Sequence, residues 1–206
     1  MTWYPDASRV LGPASKRLPG ANPAAGVVCH SAEGYRAGLH AVLRETSGAK
    51  ARTAWHFSVM QDGSVEQHYP ITAVLGHCAD WGGDADGVDG NGTLVGIEHE
   101  GVAGEPLTEA QRESSVALVG WIARERGWIP ERRKTLWEHR EISDTGTACP
   151  SDRIPWAYYT GLGKPPKATP FDWGAFYTNG ATPVRVERRN PTTLAYVYEV
   201  RVYKKG

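Results

Sequence analysis

Nowhere in this 206-residue chain do about 18 apolar residues run uninterrupted, so no membrane-spanning helix is expected. The opening Met1-Thr2-Trp3-Tyr4-Pro5-Asp6 lacks a basic start followed by an apolar core, which predicts that no signal peptide is encoded. Excess charge is missing as well: 23 Lys and Arg cancel 23 Asp and Glu, so no bulk field draws the chain to nucleic acid or to an anionic membrane. Cysteine is scarce, and three is an odd count that cannot complete a disulfide framework; reduced thiols or thiol–metal use fit it better. Aromatic residues are plentiful. Eight Trp and nine Tyr in a chain that is 40% apolar predict a globular fold, long enough for one well-cored domain plus an appendage, with a monomer as the default state.

Residues 1–25, rich in Pro, Gly and Ser, read as an extended lead-in to the β-branched run Gly26-Val27-Val28-Cys29-His30, a buried strand with His30 at its end. Leu39, Val42 and Leu43 recur at helical spacing between Tyr35 and Glu45, and Ser47-Gly48 stops that helix. Ala54–Met60 and Val65–Tyr69 flank Asp62-Gly63, the dipeptide that supplies the positive φ of a hairpin turn. Residues 79–93 carry repeated Asp-Gly and Asn-Gly pairs and read as a long surface loop before the strand Leu94–Glu98. Thr108 and Gln111 have capping-box spacing, and Gly127 closes the helix predicted over 108–126. A further helix is expected over 152–162, with Pro155 in its first turn. The first unit then ends at 163. Residues 164–170 form a Pro-rich linker, and 171–206 form a hairpin-like β extension whose strands alternate over 184–187 and 195–203.

The chemistry-bearing residues are His30, His139 and Cys149. Two imidazoles and one thiolate suit zinc, fill three of four tetrahedral positions and leave the last for water, the mark of a catalytic rather than a closed structural site. The order of these residues, together with Trp55-His56-Phe57, the Asp-Gly hairpin, Val95-Gly96-Ile97-Glu98-His99-Glu100-Gly101 and Cys149-Pro150, resembles the zinc-dependent N-acetylmuramoyl-L-alanine amidases over about residues 20–163. Phage endolysins, bacterial wall-recycling amidases and animal peptidoglycan-recognition proteins share that family.

The resemblance implies an α/β fold, a mixed central sheet flanked by helices, with one Zn2+ at the bottom of a groove that accepts the peptide stem of bacterial peptidoglycan. It implies His30, His139 and Cys149 as metal ligands and Glu98 as general acid/base, with Glu100 as its nearest rival and a substrate contact. His77, in Leu75-Gly76-His77-Cys78, is placed at the substrate or oxyanion. Trp81 and Trp137 are candidate sugar or peptide platforms. Two positions depart from many relatives. Trp55 stands for a Tyr, keeping an N–H donor but no transferable proton, and Thr147 stands for a Lys, offering a neutral hydroxyl to the oxyanion. A phage endolysin, held in the host cytoplasm until lysis, fits the missing leader and the two-part layout; wall recycling is the second setting.

Other readings stay open beside this one. A non-catalytic peptidoglycan-recognition module would tolerate Trp55 and Thr147. A Cys149–His139 thiol protease would leave His30 without a role. Calcium at Asp84–Gly92 fails the EF-hand pattern at Val88 and Val95. His40, His68 and His99 are expected to be ordinary structural residues, with His68 on an outward-alternating strand, and Cys29 and Cys78 to be buried small hydrophobes.

Overall fold

The computed structural model describes residues 2–80 and 87–160, together with the backbone of 182–189 and 196–203. It divides into two compact units, Met1–Leu162 and Gly163–Gly206. In the first, six strands form a mixed sheet: β1 (Ser8–Arg9), β2 (Gly26–Ser31), β3 (Phe57–Val59), β4 (Val65–Gln67), β5 (Leu94–His99) and β6 (Leu136–Glu138), ordered β1-β4-β3-β5-β2-β6. Only β3 and β4 pair antiparallel, as the Asp62-Gly63 turn requires, with Gly63 at φ 83. The other neighbours are parallel, so β2, β5 and β6 run side by side and end on one edge of the sheet.

Strand alternation sorts the side chains into two faces. Val27, Cys29, Phe57, Val59, Val95, Ile97 and Leu136 pack against Leu118, Val119, Trp121 and Ile122 of the helix α3 (Glu109–Arg126). The opposite face carries Val28, His30, Ser58, Gly96 and Glu98. It is covered by the apolar groups of Trp55, Met60, Tyr69 and Leu75, together with Leu39 and Leu43 of the helix α1 (Arg36–Arg44), and by a smaller cluster of Val28, Cys78, Leu94, Trp137 and Ile142. Both faces are covered, which is why β2 reads as an unbroken buried run rather than an alternation.

The lead-in is tied down rather than loose. β1 pairs parallel with β4, and buried Lys16 donates its ammonium to the carbonyls of Val42, Lys50 and Thr53. The loop expected at 79–93 contains a one-turn helix, α2 (Gly90–Thr93), capped by Asp89, while residues 81–86 lie outside the described residues. The helix expected over 152–162 is reduced to a 3-10 turn, Trp156–Tyr158, within the described part. Ser151 and Asp152 both take φ 58, which ends any helical path before Pro155. β7 (Thr182–Arg189) and β8 (Tyr196–Tyr203) pair antiparallel in the second unit; the linker expected at 164–170 lies outside the described residues. No helix among the described residues is long and apolar enough to cross a membrane.

The N-cap of α3 makes the sequence signal physical. Thr108 Oγ1 accepts from the Gln111 amide at 3.1 Å and donates to the Gln61 carbonyl at 2.6 Å, so one hydroxyl both starts the helix and ties it to the β3–β4 hairpin. Thr108→Ala is expected to cost about 1 kcal/mol. Thermal unfolding should show it as a loss of about 2–4 °C in Tm, with no change in metal uptake.

Candidate metal centre

Pairing in register builds the centre. His30 on β2 stands opposite Glu98 on β5, which stands opposite Ser58 on β3, so the three form a row across one face. His139 follows β6 directly, as the first residue of the single-turn helix α4 (His139–Ile142). That turn is held by a reciprocal capping box: the Glu141 carboxylate accepts the Glu138 amide at 2.8 Å while Glu138 accepts from the Glu141 backbone. The Arg140 amide donates to the Cys149 carbonyl at 2.8 Å and brings the later loop back onto α4. The peptide bond between Cys149 and Pro150 is cis.

His30, His139 and Cys149 thereby converge, with one ligand atom from each lying within 4.8 Å of the others. His30 Nδ1 is 3.2 Å from His139 Nδ1 and 3.8 Å from Cys149 Sγ. Around a tetrahedral zinc, bonds of about 2.0–2.1 Å to nitrogen and about 2.3 Å to sulfur set nitrogens roughly 3.3 Å apart and nitrogen and sulfur roughly 3.6 Å apart. The donor set and the two spacings from His30 fit that ion. Burial, with His139 and His77 adjoining, holds His30 well below the usual imidazole range, and burial lowers His139 too, so both rings are neutral at pH 7 as ligands must be. The Cys149 thiol is pushed up to about 12 by burial and by Glu98, while the Ser31 amide, donating to Sγ at 3.2 Å, works in the opposite direction.

The other expected site residues fall in varied places. Both Glu100 carboxylate oxygens are occupied, one by the Arg36 amide at 2.7 Å and the other by the Gln61 amide at 2.8 Å, so Glu100 caps α1 and anchors the hairpin rather than facing substrate. His77 is buried behind His30, its Nδ1 3.2 Å from His30 Nε2, rather than exposed to a substrate. Trp55 is 2% exposed and donates its indole N–H to Ser58 Oγ at 2.8 Å, which leaves no donor for water or a carbonyl. Trp137 packs inside the small cluster with Val28 and Ile142, which removes it as a platform. Trp81 lies outside the described residues. Thr147 is exposed, and its Oγ1 accepts the Cys149 amide at 3.2 Å. His68, expected to point outward, is buried against Ser58 Oγ at 2.8 Å because β1 and the lead-in cover β4.

Arg153 carried no sequence signal. It is 4% exposed and donates to the Glu105, His99 and Glu100 carbonyls and to Ser31 Oγ, clamping the ends of β2 and β5 beneath the centre. A buried guanidinium is recognisable only by the carbonyls it meets, and these come from distant positions.

The family model described as N-acetylmuramoyl-L-alanine amidase matches residues 20–152. No curated protein matches the chain. Among solved structures, the N-acetylmuramoyl-L-alanine amidase LysC from Clostridium intestinale URNW superposes with a TM-score of 0.59 at 19% identity, covering 77% of this chain and 97% of that one. A selenomethionine derivative of AmpD gives 0.62 at 20% identity, with 78% and 96% covered. A mutant endolysin from Bacillus subtilis gives 0.57 at 20% identity, with 75% and 97% covered. At such identities the likeness is one of fold.

Glu98 is the electrostatic outlier of the centre. It keeps an opening to solvent, yet its Oε2 has no hydrogen-bond partner, and burial with the nearby Glu33 charge pushes its carboxyl up to about 8. The folded chain therefore holds this proton where the unfolded chain has released it. Stability from this group is full below the ordinary Glu range near 4.5, falls as pH rises, and levels off above about 8. In the chelator-treated protein, Glu98→Gln should raise Tm by about 2–4 °C or more at pH 8.5, the shift that about 1 kcal/mol produces at this size. The gain should vanish near pH 4; equal gains at both pH values would show that Glu98 ionisation is not the cause.

Proposed function

The chain belongs to the N-acetylmuramoyl-L-alanine amidase family, and on that premise we propose that it hydrolyses the amide between the lactyl group of N-acetylmuramic acid and the L-alanine of the peptidoglycan stem, as a zinc enzyme of the endolysin type. The observation that carries this reading is the convergence of His30, His139 and Cys149 to within 4.8 Å of one another, with Glu98 paired beside His30 in the sheet.

In this reading His30, His139 and Cys149 would hold Zn2+. The ion, when bound, supplies Lewis-acid activation of water and polarises the scissile carbonyl. Glu98, as the carboxylate beside the centre, takes the proton of the attacking water and hands it to the nitrogen of the departing L-alanine. The Thr147 hydroxyl, whose oxygen accepts the Cys149 amide, keeps its own proton for the oxyanion that develops on the carbonyl. Arg153 and Glu100 act from beneath by holding the strand ends and α1 in place.

Two measurements test this. The purified chain should bind about one zinc, and should release L-alanine amino termini from purified cell wall in a chelator-sensitive manner. Cys149→Ala should abolish both uptake and release. Glu98→Gln should keep the metal and lose roughly 10²–10⁴-fold in rate. Binding to wall without release of amino termini would replace the hydrolase by a recognition module.

A further inference from the structure

We propose that His77 is a positioning residue for His30, fixing it in the tautomer whose bare Nδ1 faces His139 and Cys149. The significance of this arrangement rests on the metal reading above, but the arrangement of the two rings does not.

His77 Nε2 lies 3.3 Å from the Leu94 carbonyl, and a carbonyl only accepts, so that nitrogen carries the hydrogen. His77 is buried among other imidazoles, which favours its neutral form, and a neutral ring protonated at Nε2 presents a lone pair at Nδ1. His30 Nε2 stands 3.2 Å from that lone pair and must be the donor. A neutral His30 has one ring proton; spent on His77, it leaves Nδ1 unprotonated. Nδ1 is the nitrogen that lies 3.2 Å from His139 Nδ1 and 3.8 Å from Cys149 Sγ.

The surroundings of His77 are shaped to hold this ring. Asn91 Oδ1 accepts both the His77 amide at 2.8 Å and the Cys78 amide at 3.0 Å, pinning the backbone on either side. β5 has glycine at position 96, where a Cβ would come within 2.8 Å of His77 Cγ, so the ring lies flush on the strand. From the other side, His99 Nδ1 meets the His30 carbonyl at 2.9 Å and holds the ligand's backbone. A metal-binding imidazole commonly donates its second N–H to a carboxylate, carbonyl or water; here a second imidazole, itself grounded on a backbone carbonyl, takes that place.

Long-range proton–nitrogen NMR spectra of the histidine-labelled, metal-free chain at neutral pH read the tautomers directly. His30 and His77 should both be protonated at Nε2. His77→Phe keeps a ring of similar shape but removes the acceptor, and should weaken zinc binding on the order of 10–100-fold in competition with a chelator. His77→Asn, whose Oδ1 falls near the position of the lost Nδ1, should recover most of that affinity, which a packing role would not predict. His30 protonated at Nδ1, or a folded His77→Phe variant holding zinc as tightly as the parent, would overturn the proposal. Should the Phe variant fail to fold, the spectra of the unmodified chain decide. A parent chain that takes up no zinc would remove the metal reading alone, since the tautomers are observed without metal.

Discussion

The in-register parallel pairing of β2 with β5 sets His30 abreast of Glu98 and, through β3, of Ser58, and every other feature of the centre is arranged around that row. Parallel strands all deliver their carboxyl ends to the same edge, so β6 brings His139 to the place where β2 brings His30. A slip of one residue in that register would turn His30 onto the α3 face, among Cys29, Ile97 and Phe57, where an imidazole would find no ligand partner. Gly26 protects the register at the start of β2: a Cβ there would meet the Thr135 carbonyl at 2.5 Å, so only glycine lets β6 approach.

Two carboxylates two residues apart show how surroundings divide labour. Glu100 accepts two backbone amides and has its charge fully compensated by structure. Glu98 receives no such donors at Oε2, so its charge is costly and its proton is available. Around it, Arg153 donates to the His99 and Glu100 carbonyls, and Asn91 Oδ1 accepts the His77 and Cys78 amides.

Much of this was legible in the residues. Thr108, Gln111 and Gly127 mark α3 because capping is a local phenomenon, and Gly127 does adopt φ 74. His30, Glu98, His139 and Cys149 could be picked out because their order and flanking motifs resemble a known family, and the structure draws the two His and the Cys together. The illegible parts were those decided by distant partners. The segment after Cys149 is not a helix because Arg153 is drawn inward to four oxygen acceptors and its two preceding residues turn left-handed. Trp137, read as a platform, and Trp55, read as an N–H donor at the site, are core because α4 and α1 cover them, which no local pattern reveals. His77 lies against His30 because Gly96 leaves it room there, a fit between segments far apart in the chain.

The candidate ligand pair His30 and His139 is separated by 109 positions, and the greater part of the first unit, Met1–Leu162, lies between them. An ion seated there would act as a removable cross-link between the earliest buried strand and the last, closing a loop that is entropically expensive to close by chance. Its contribution to cohesion grows with the logarithm of free metal, reaching about 2.7 kcal/mol at a hundredfold excess over the dissociation constant. The heat tolerance of such a molecule would track the metal content of its medium as closely as it tracks the quality of its hydrophobic interior.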